Sequence, residues 1–161
     1  MGCFSDIGWV VSHSYTLYGP LLTGAATVLY EGKPVGTPDP SAFWRLVEEY
    51  KINTMFTAPT ALRAIRKNDP DNSHFARIGE RGGLRSLRAM FLAGERSEPA
   101  IVTMYQDLLR RYGAEDANVV DNCKLHFALT FPFTALDGPR GSRDSAFAPE
   151  LLSLPNLARN I

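Results

Sequence analysis

The residues best suited to chemistry in this sequence fall into a few short clusters. The first is Asp6-Ile7-Gly8-Trp9-Val10-Val11, followed by His13-Ser14-Tyr15 and Tyr18-Gly19-Pro20-Leu21. Its glycine permits a close backbone turn, and Trp9 sets a large rigid wall beside small apolar side chains. That combination could line a pocket for a short acyl chain. Taken alone, Trp9 reads more simply as a core side chain, and His13 as a hydrogen-bonded residue at a helix start. The second cluster is Gly94-Glu95-Arg96-Ser97-Glu98-Pro99. A glycine at a strand end lets a flat ring lie against the main chain, whose amides and carbonyls can read the ring's edge. On spacing alone an ordinary strand-to-helix turn, with acidic residues near a helix N-terminus, is the better reading. Other chemistries lack their residues. The histidines His13, His74 and His126 are scattered with no zinc spacing, and Cys3 and Cys123 read as two thiols rather than a disulfide or metal framework. Neither phosphate-cradling glycine motif occurs, and no Ser/His/Asp arrangement can be assembled from sequence order.

The elements that must position these clusters alternate between strand and helix signals. Ala26–Tyr30 (ATVLY) reads as a buried strand closed by Glu31-Gly32. Asp39-Pro40 reads as an N-cap with proline at the first helical position, and Phe43, Val47 and Tyr50 then share a face with Trp44 beside them. Asn53–Ala58 is the next strand. Pro59 opens a helix with Leu62 and Ile65 inward and Arg63, Arg66 and Lys67 outward, and 68–73 (NDPDNS) is a turn cluster. Arg88–Ala93 is a third strand, and Gly94 lets the chain turn sharply at its end. The helix over Glu98–Tyr112 carries Ile101, Tyr105, Leu108 and Tyr112 on one face, with Arg110 and Arg111 in its last turn and Gly113 as its stop. Asn118–Asp121 is a fourth strand.

This order predicts an α/β fold, a partial layered domain with a mainly parallel sheet and covering helices. In such sheets ligands bind beyond the carboxyl ends of the strands. That rule selects Thr57-Ala58-Pro59, Ala93-Gly94-Glu95 and Asp121-Asn122 on position alone. The alternation stops at Asn122. We therefore divide the chain into a domain over residues 1–122 and a divergent tail over 123–161, poorly ordered or forming an edge strand.

The bulk composition narrows the function classes. Hydrophobic residues make up 45% and charged residues 21% of the 161, the balance of an ordinary globular chain. Seventeen basic residues offset seventeen acidic ones, so no basic field argues for nucleic acid or an anionic membrane. No apolar run is long enough for a transmembrane helix, and the N-terminus has no secretory pattern. An intracellular location is expected.

Four segments taken together are far more specific than any one of them. DIGWVVSHSYTLYGPLLTGAATVLYEG, TMFTAPTALRAIRKND, LRSLRAMFLAGERSEP and VVDN, in this order and at this spacing, resemble the AMP-forming short-chain acyl-CoA synthetases of the adenylate-forming superfamily, the acetyl- and propionyl-CoA synthetases. The likeness runs from about Ser5 to Asn122. The Gly94-Glu95-Arg96 form is similar to the propionyl type, since proline normally follows Gly-Glu in the acetyl type. The resemblance implies a ligase in which a carboxylate attacks ATP to give an acyl-adenylate and pyrophosphate, after which the CoA thiol takes the acyl group and AMP leaves. It implies ATP, CoA and Mg2+ as cofactors in the complete family enzyme, and a small carboxylate, probed best with propionate or acetate, as substrate.

Carried over by position, Trp9, Val10 and Val11 border the acyl pocket and the pantetheine tunnel, and Thr57, Ala58 and Pro59 lie near the pantetheine path. Gly94, Glu95 and Arg96 flank the adenine, and Asp121 and Asn122 begin a further adenine-reading block. Two departures matter. Val11 stands where acetyl-CoA synthetases have threonine, and Cys123-Lys124-Leu125-His126 replaces a Trp-containing run that leads to a magnesium-holding Thr-Glu or Ser-Glu pair. The resemblance also places the phosphate loop upstream of Asp6, and the hinge and lid lysine beyond Asn122. No catalytic residue and no metal ligand is therefore assigned here, tight cofactor binding is not expected, and the chain alone is expected to be inactive. The rival expectation is a non-catalytic remnant that binds nucleotide or CoA weakly or pairs with a full-length relative. Open sheet edges, with Leu125, Phe127, Leu129 and Phe131 at period two, favour self-association.

Overall fold

The computed structural model describes residues 1–36 and 38–122. The tail over 123–161, with its alternating Leu125–Phe131 stretch, lies outside the described residues. Within them a four-stranded sheet forms from β1 (Gly2–Phe4), β2 (Thr54–Thr57), β3 (Ala89–Leu92) and β4 (Asn118–Asp121), in the spatial order 1-2-3-4 and parallel throughout. The register aligns Cys3 with Phe56, Phe56 with Phe91, and Phe91 with Val120. Strand periodicity therefore divides the side chains cleanly between two faces.

One face is closed by helices. Between β1 and β2 come three helical stretches, α1 (Val10–Ser12), a π-helical turn over His13–Tyr18 and α2 (Gly19–Leu22), and then α3 (Ala42–Tyr50). Two helices, α4 (Pro59–Asn68) and α5 (Ser73–Glu80), connect β2 to β3, and α6 (Pro99–Tyr112) connects β3 to β4. Helices α3 to α6 bury Phe43, Trp44, Val47, Leu62, Ile65, Phe75, Ile78, Ile101, Tyr105 and Leu109 in one core with Met55, Met90 and Leu92 of the sheet. Trp44 lies edge-on to Phe75, 4.7 Å between ring centroids, and Phe4 stacks on Phe43 at 4.5 Å. The opposite face is covered at its β1–β2 side, where Tyr15 of the π-helical turn stacks on Phe56 at 4.2 Å. Phe91 and Val120, further along that face, are half-buried.

Several local expectations need correction. Ala26–Tyr30 is not a strand of its own; only Val28 pairs, as a single parallel bridge to Gly2 beside β1. Helix α3 begins two residues later than the Asp39-Pro40 pair suggests, with Ser41 at the N-cap position and Asp39 accepting hydrogen bonds from the Ser41 amide and hydroxyl. Tyr50 is exposed, because the helix ends there and Lys51 turns into the left-handed region. On α6 the buried residue is Leu109 rather than Leu108, which is half-buried.

Helix α5 was hidden by turn chemistry. Asp69, which looks like part of a loop, accepts bonds from the Ser73 amide (2.9 Å), the Ser73 hydroxyl (2.8 Å) and the His74 amide (2.9 Å). These satisfy amides that a helix start leaves without intrahelical partners, and they start the helix inside the NDPDNS cluster.

Candidate functional site

The carboxyl ends of β1, β2 and β3 open onto one cavity of about 980 Å³. Its walls are mostly apolar. One wall is the segment after β1, Ser5, Asp6 and Ile7 with Trp9, Val10 and Val11; a second is Thr57 and Ala58 with Thr60, Ala61 and Ala64 of α4; a third is Ala93, Gly94 and Glu95. The loop from Leu29 to Pro34 and the side chain of Phe43 complete it.

Each wall has a local cause. Asp6 accepts a 2.7 Å bond from the Gly8 amide through its side chain and a 3.0 Å bond from the Trp9 amide through its carbonyl. This Asx-type turn presents Trp9 in extended geometry just before α1. Trp9 is 68% exposed and Val10 71% exposed. Trp9 is therefore not a core residue, contrary to the simplest reading of a lone tryptophan. Behind this wall, Ser12 and Thr16 are buried and share a 2.9 Å hydroxyl hydrogen bond. Burial pushes the Cys3 thiol up from its ordinary value, against hydrogen bonds from Thr16, Ser5 and Ser12. Cys3 is a buried lining residue of the cavity.

The hydroxyl of Thr57 donates to the Phe4 carbonyl at 3.3 Å, tying β2 to β1, so its one donor is already engaged. Ala58 lines the cavity, whereas Pro59 is buried in the first turn of α4 and does not. At the end of β3, Gly94 adopts φ +101°, and a Cβ placed there would meet nothing within 4 Å. Its face is open for a ligand to approach the main chain. The Ala93 amide donates to the Thr57 carbonyl at 3.1 Å, and the Ser97 amide donates to Asp121 Oδ2 at 3.3 Å.

The cavity thus joins Trp9, Val10 and Val11 with Thr57, Ala58, Gly94 and Glu95. It does not include Pro59, Arg96, Asp121 or Asn122; Arg96 is exposed, and Asp121 reaches this end of the sheet through Ser97. The residues that sequence reasoning passed over are Ser5 just after β1, the 29–34 loop, and Thr60, Ala61 and Ala64 on α4. The rule of strand ends would have reached Ser5 had β1 been legible, and the small residues at helical spacing on α4 were the signal for the last. Among the described residues no group of three or more His, Cys, Asp and Glu side chains could hold a metal ion. No helix among them is long and apolar enough to cross a membrane.

The described residues thus form a parallel α/β sheet with an apolar cavity beyond its strand ends, walled by a Gly-Glu turn on one side and an exposed tryptophan on the other. Residues 1–121 match the family described as AMP-binding enzyme, and the chain belongs to that family. Among its relatives, an uncharacterized protein of Pseudomonas aeruginosa is 59% identical over 92 residues, covering 57% of this chain and 14% of that protein. The mitochondrial acyl-CoA synthetase short-chain family member 3 of Homo sapiens is 49% identical over 106 residues, covering 66% and 15%. The propionate–CoA ligase of Salmonella typhimurium is 50% identical over 93 residues, covering 58% and 14%. Among solved structures, the crystal structure of Brucella canis acyl-CoA synthetase superimposes with a TM-score of 0.57 at 25% identity, covering 74% of this chain and 19% of that one. The chain therefore spans about one-seventh of the length of the curated relatives it matches.

Proposed function

We propose that residues 1–122 form part of the acyl and nucleotide pocket of an AMP-forming short-chain acyl-CoA ligase of the propionate or acetate type. The observation that carries this reading is the shared cavity: Trp9, Val10 and Val11 face it from one side and Gly94 and Glu95 from another, with Thr57 and Ala58 between. An acyl-adenylate needs both features, an apolar slot for its short chain and an open main-chain edge for its purine. The apolar wall supplies size selection rather than charge, and Gly94 supplies backbone access. Arg96, Asp121 and Asn122 belong to this reading as neighbours of the purine edge, and Pro59 as the residue that fixes the start of α4 beside the thiol path. ATP, CoA and Mg2+ are the cofactors of the complete enzyme. An intracellular site of action, cytosolic or mitochondrial, accords with relatives whose names include the word mitochondrial.

Because positioning and charge stabilisation dominate this class of chemistry, the chain by itself should make no acyl-CoA. AMP release that depends on both propionate and CoA, from protein free of host synthetases, would refute that. Binding is tested separately. The sequence has two tryptophans, and Trp44 is buried in the core, so Trp44→Phe leaves Trp9 as the single indole reporter. Titration with the propyl ester of AMP, a stable analogue of the acyl-adenylate, should shift Trp9 emission to the blue and saturate at lower concentration than AMP. An unshifted Trp9 spectrum at saturating analogue would remove Trp9 from the acyl slot. A second reading, a non-catalytic partner that binds nucleotide weakly, predicts equal affinity for AMP and its propyl ester.

A further inference from the structure

Arg63 projects from α4 toward the turn between β3 and α6 and meets two carboxylates there. Its Nη2 donates to Glu95 Oε1 at 2.5 Å, and its Nη1 lies 3.6 Å from Glu98 Oε1. Glu95 is on the cavity wall and Glu98 is the N-cap residue of α6, so one guanidinium spans the turn from end to end. Between the Ala93 and Ser97 amides, which are tied to Thr57 and Asp121, the amides of Gly94, Glu95 and Arg96 donate to no main-chain group among the described residues. Gly94, at φ +101° and with open space around it, has the most freedom of any residue in this stretch. A turn so weakly held by its own backbone needs side chains to fix it.

We propose that Arg63 is the positioning residue of this turn: by clamping Glu95 and Glu98 it holds the Gly94 main chain open toward the cavity for the purine of the nucleotide. This rests on the functional reading above for the identity of the ligand, though not for the clamp itself. The planar fork of arginine suits the task, since its nitrogens can face two carboxylates at once, whereas a lysine ammonium on a single stem engages one well. The pair is partly exposed, 34% for Arg63 and 40% for Glu95, so its effect on global stability is small and its effect should be local.

The test uses the full chain as wild type, Arg63→Gln, Arg63→Lys and Glu95→Gln. Hydrogen exchange of the buried Ser97 amide, the one in this turn with a hydrogen-bond acceptor among the described residues, is measured without ligand, and affinity is measured for AMP and for adenosine. Arg63→Gln should speed exchange of the Ser97 amide about threefold, the size expected for losing a partly exposed ion pair, with an unchanged urea midpoint. Glu95→Gln should do the same, and Arg63→Lys should recover part of the protection. Affinity for AMP and adenosine should fall by the same factor, because a displaced purine site weakens both. Unchanged exchange at Ser97 in Arg63→Gln would overturn the clamp. So would a loss for AMP with adenosine unaffected, which would mark Arg63 as a charge on the phosphate path. If the wild type binds neither ligand, the nucleotide reading fails, and the exchange data still decide the clamp.

Discussion

Gly94→Ala separates what the backbone needs at the cavity rim from what a ligand needs. At φ +101°, Gly94 lies beyond the left-handed well near φ +57°, and a Cβ there meets no atom within 4 Å. The substitution therefore introduces backbone strain without a packing clash. An L-residue in left-handed geometry costs about 1–2 kcal/mol, rising toward about 3 in sparser regions. Alanine also narrows the unfolded ensemble, which offsets about 0.4–1 kcal/mol. A net loss of about 1–2 kcal/mol is expected, and with a urea slope of about 2 kcal/mol/M the midpoint should fall by about 0.5–1 M. Gly24 is the matched control. Its φ of +70° is closer to the well, its Cβ position is equally empty, and it is not on the cavity, so Gly24→Ala should lose less stability and keep its nucleotide affinity. In Gly94→Ala the methyl stands where the purine should approach, and AMP affinity should drop at least about tenfold, or about 1.4 kcal/mol. A wild-type midpoint in Gly94→Ala would refute the strain argument. A lowered midpoint with undiminished AMP affinity would refute the placement of the purine.

Three further perturbations probe the frame and the pocket. Gly79→Ala would put a Cβ 2.5 Å from Tyr112 Cγ, so the α5–α6 contact must shift, and urea unfolding should show a loss of about 1–3 kcal/mol; a neutral substitution would disprove that packing. Asp39 is held at about 2, below its usual 3.8, first by the Ser41 hydroxyl and then by the Ser41 amide and Arg45, against the opposing effect of burial. Because the folded value is the lower one, this stability is present above about pH 4 and drains as pH falls through about 2; Asp39→Asn should flatten that part of the stability curve by about 1 kcal/mol after solvent screening, and an unaltered slope would count against it. In a chimera placing residues 1–122 in the Salmonella propionate–CoA ligase, Trp9→Gly should shift preference from propionate toward longer acids by about tenfold or more, and an unchanged chain-length profile in an active chimera would remove Trp9 from the slot.

Much of the frame was legible because its elements carry their own signals. Strands β2, β3 and β4 and helices α4 and α6 fall within a residue or two of where apolar periodicity puts them, since each buries a continuous face: Leu62 and Ile65 on α4, Ile101 and Tyr105 on α6. What was missed has no periodicity to read. Strand β1 is three residues long, too short for alternation, and is recognisable only once it pairs with β2. Helix α5 opens inside a Pro/Asn/Asp cluster because Asp69 caps it, and cap residues and turn residues are the same types.

Trp9 shows what residue type alone can and cannot say about the cavity. Hydrophobicity predicts burial on average, so taken alone Trp9 reads as a core side chain, and it was the resemblance to acyl-CoA synthetases that put it on a pocket wall. The strand-end rule would have contradicted the core reading, but that rule needs β1, the one strand the sequence conceals. Once β1 is in place, Asp6 follows its carboxyl end by two residues and turns the chain so that Trp9 stands at the rim beside Thr57 and Gly94. Trp9 is 68% exposed on the cavity wall, at the edge of a parallel sheet where ligands bind, and its emission in Trp44→Phe tests whether a ligand covers it.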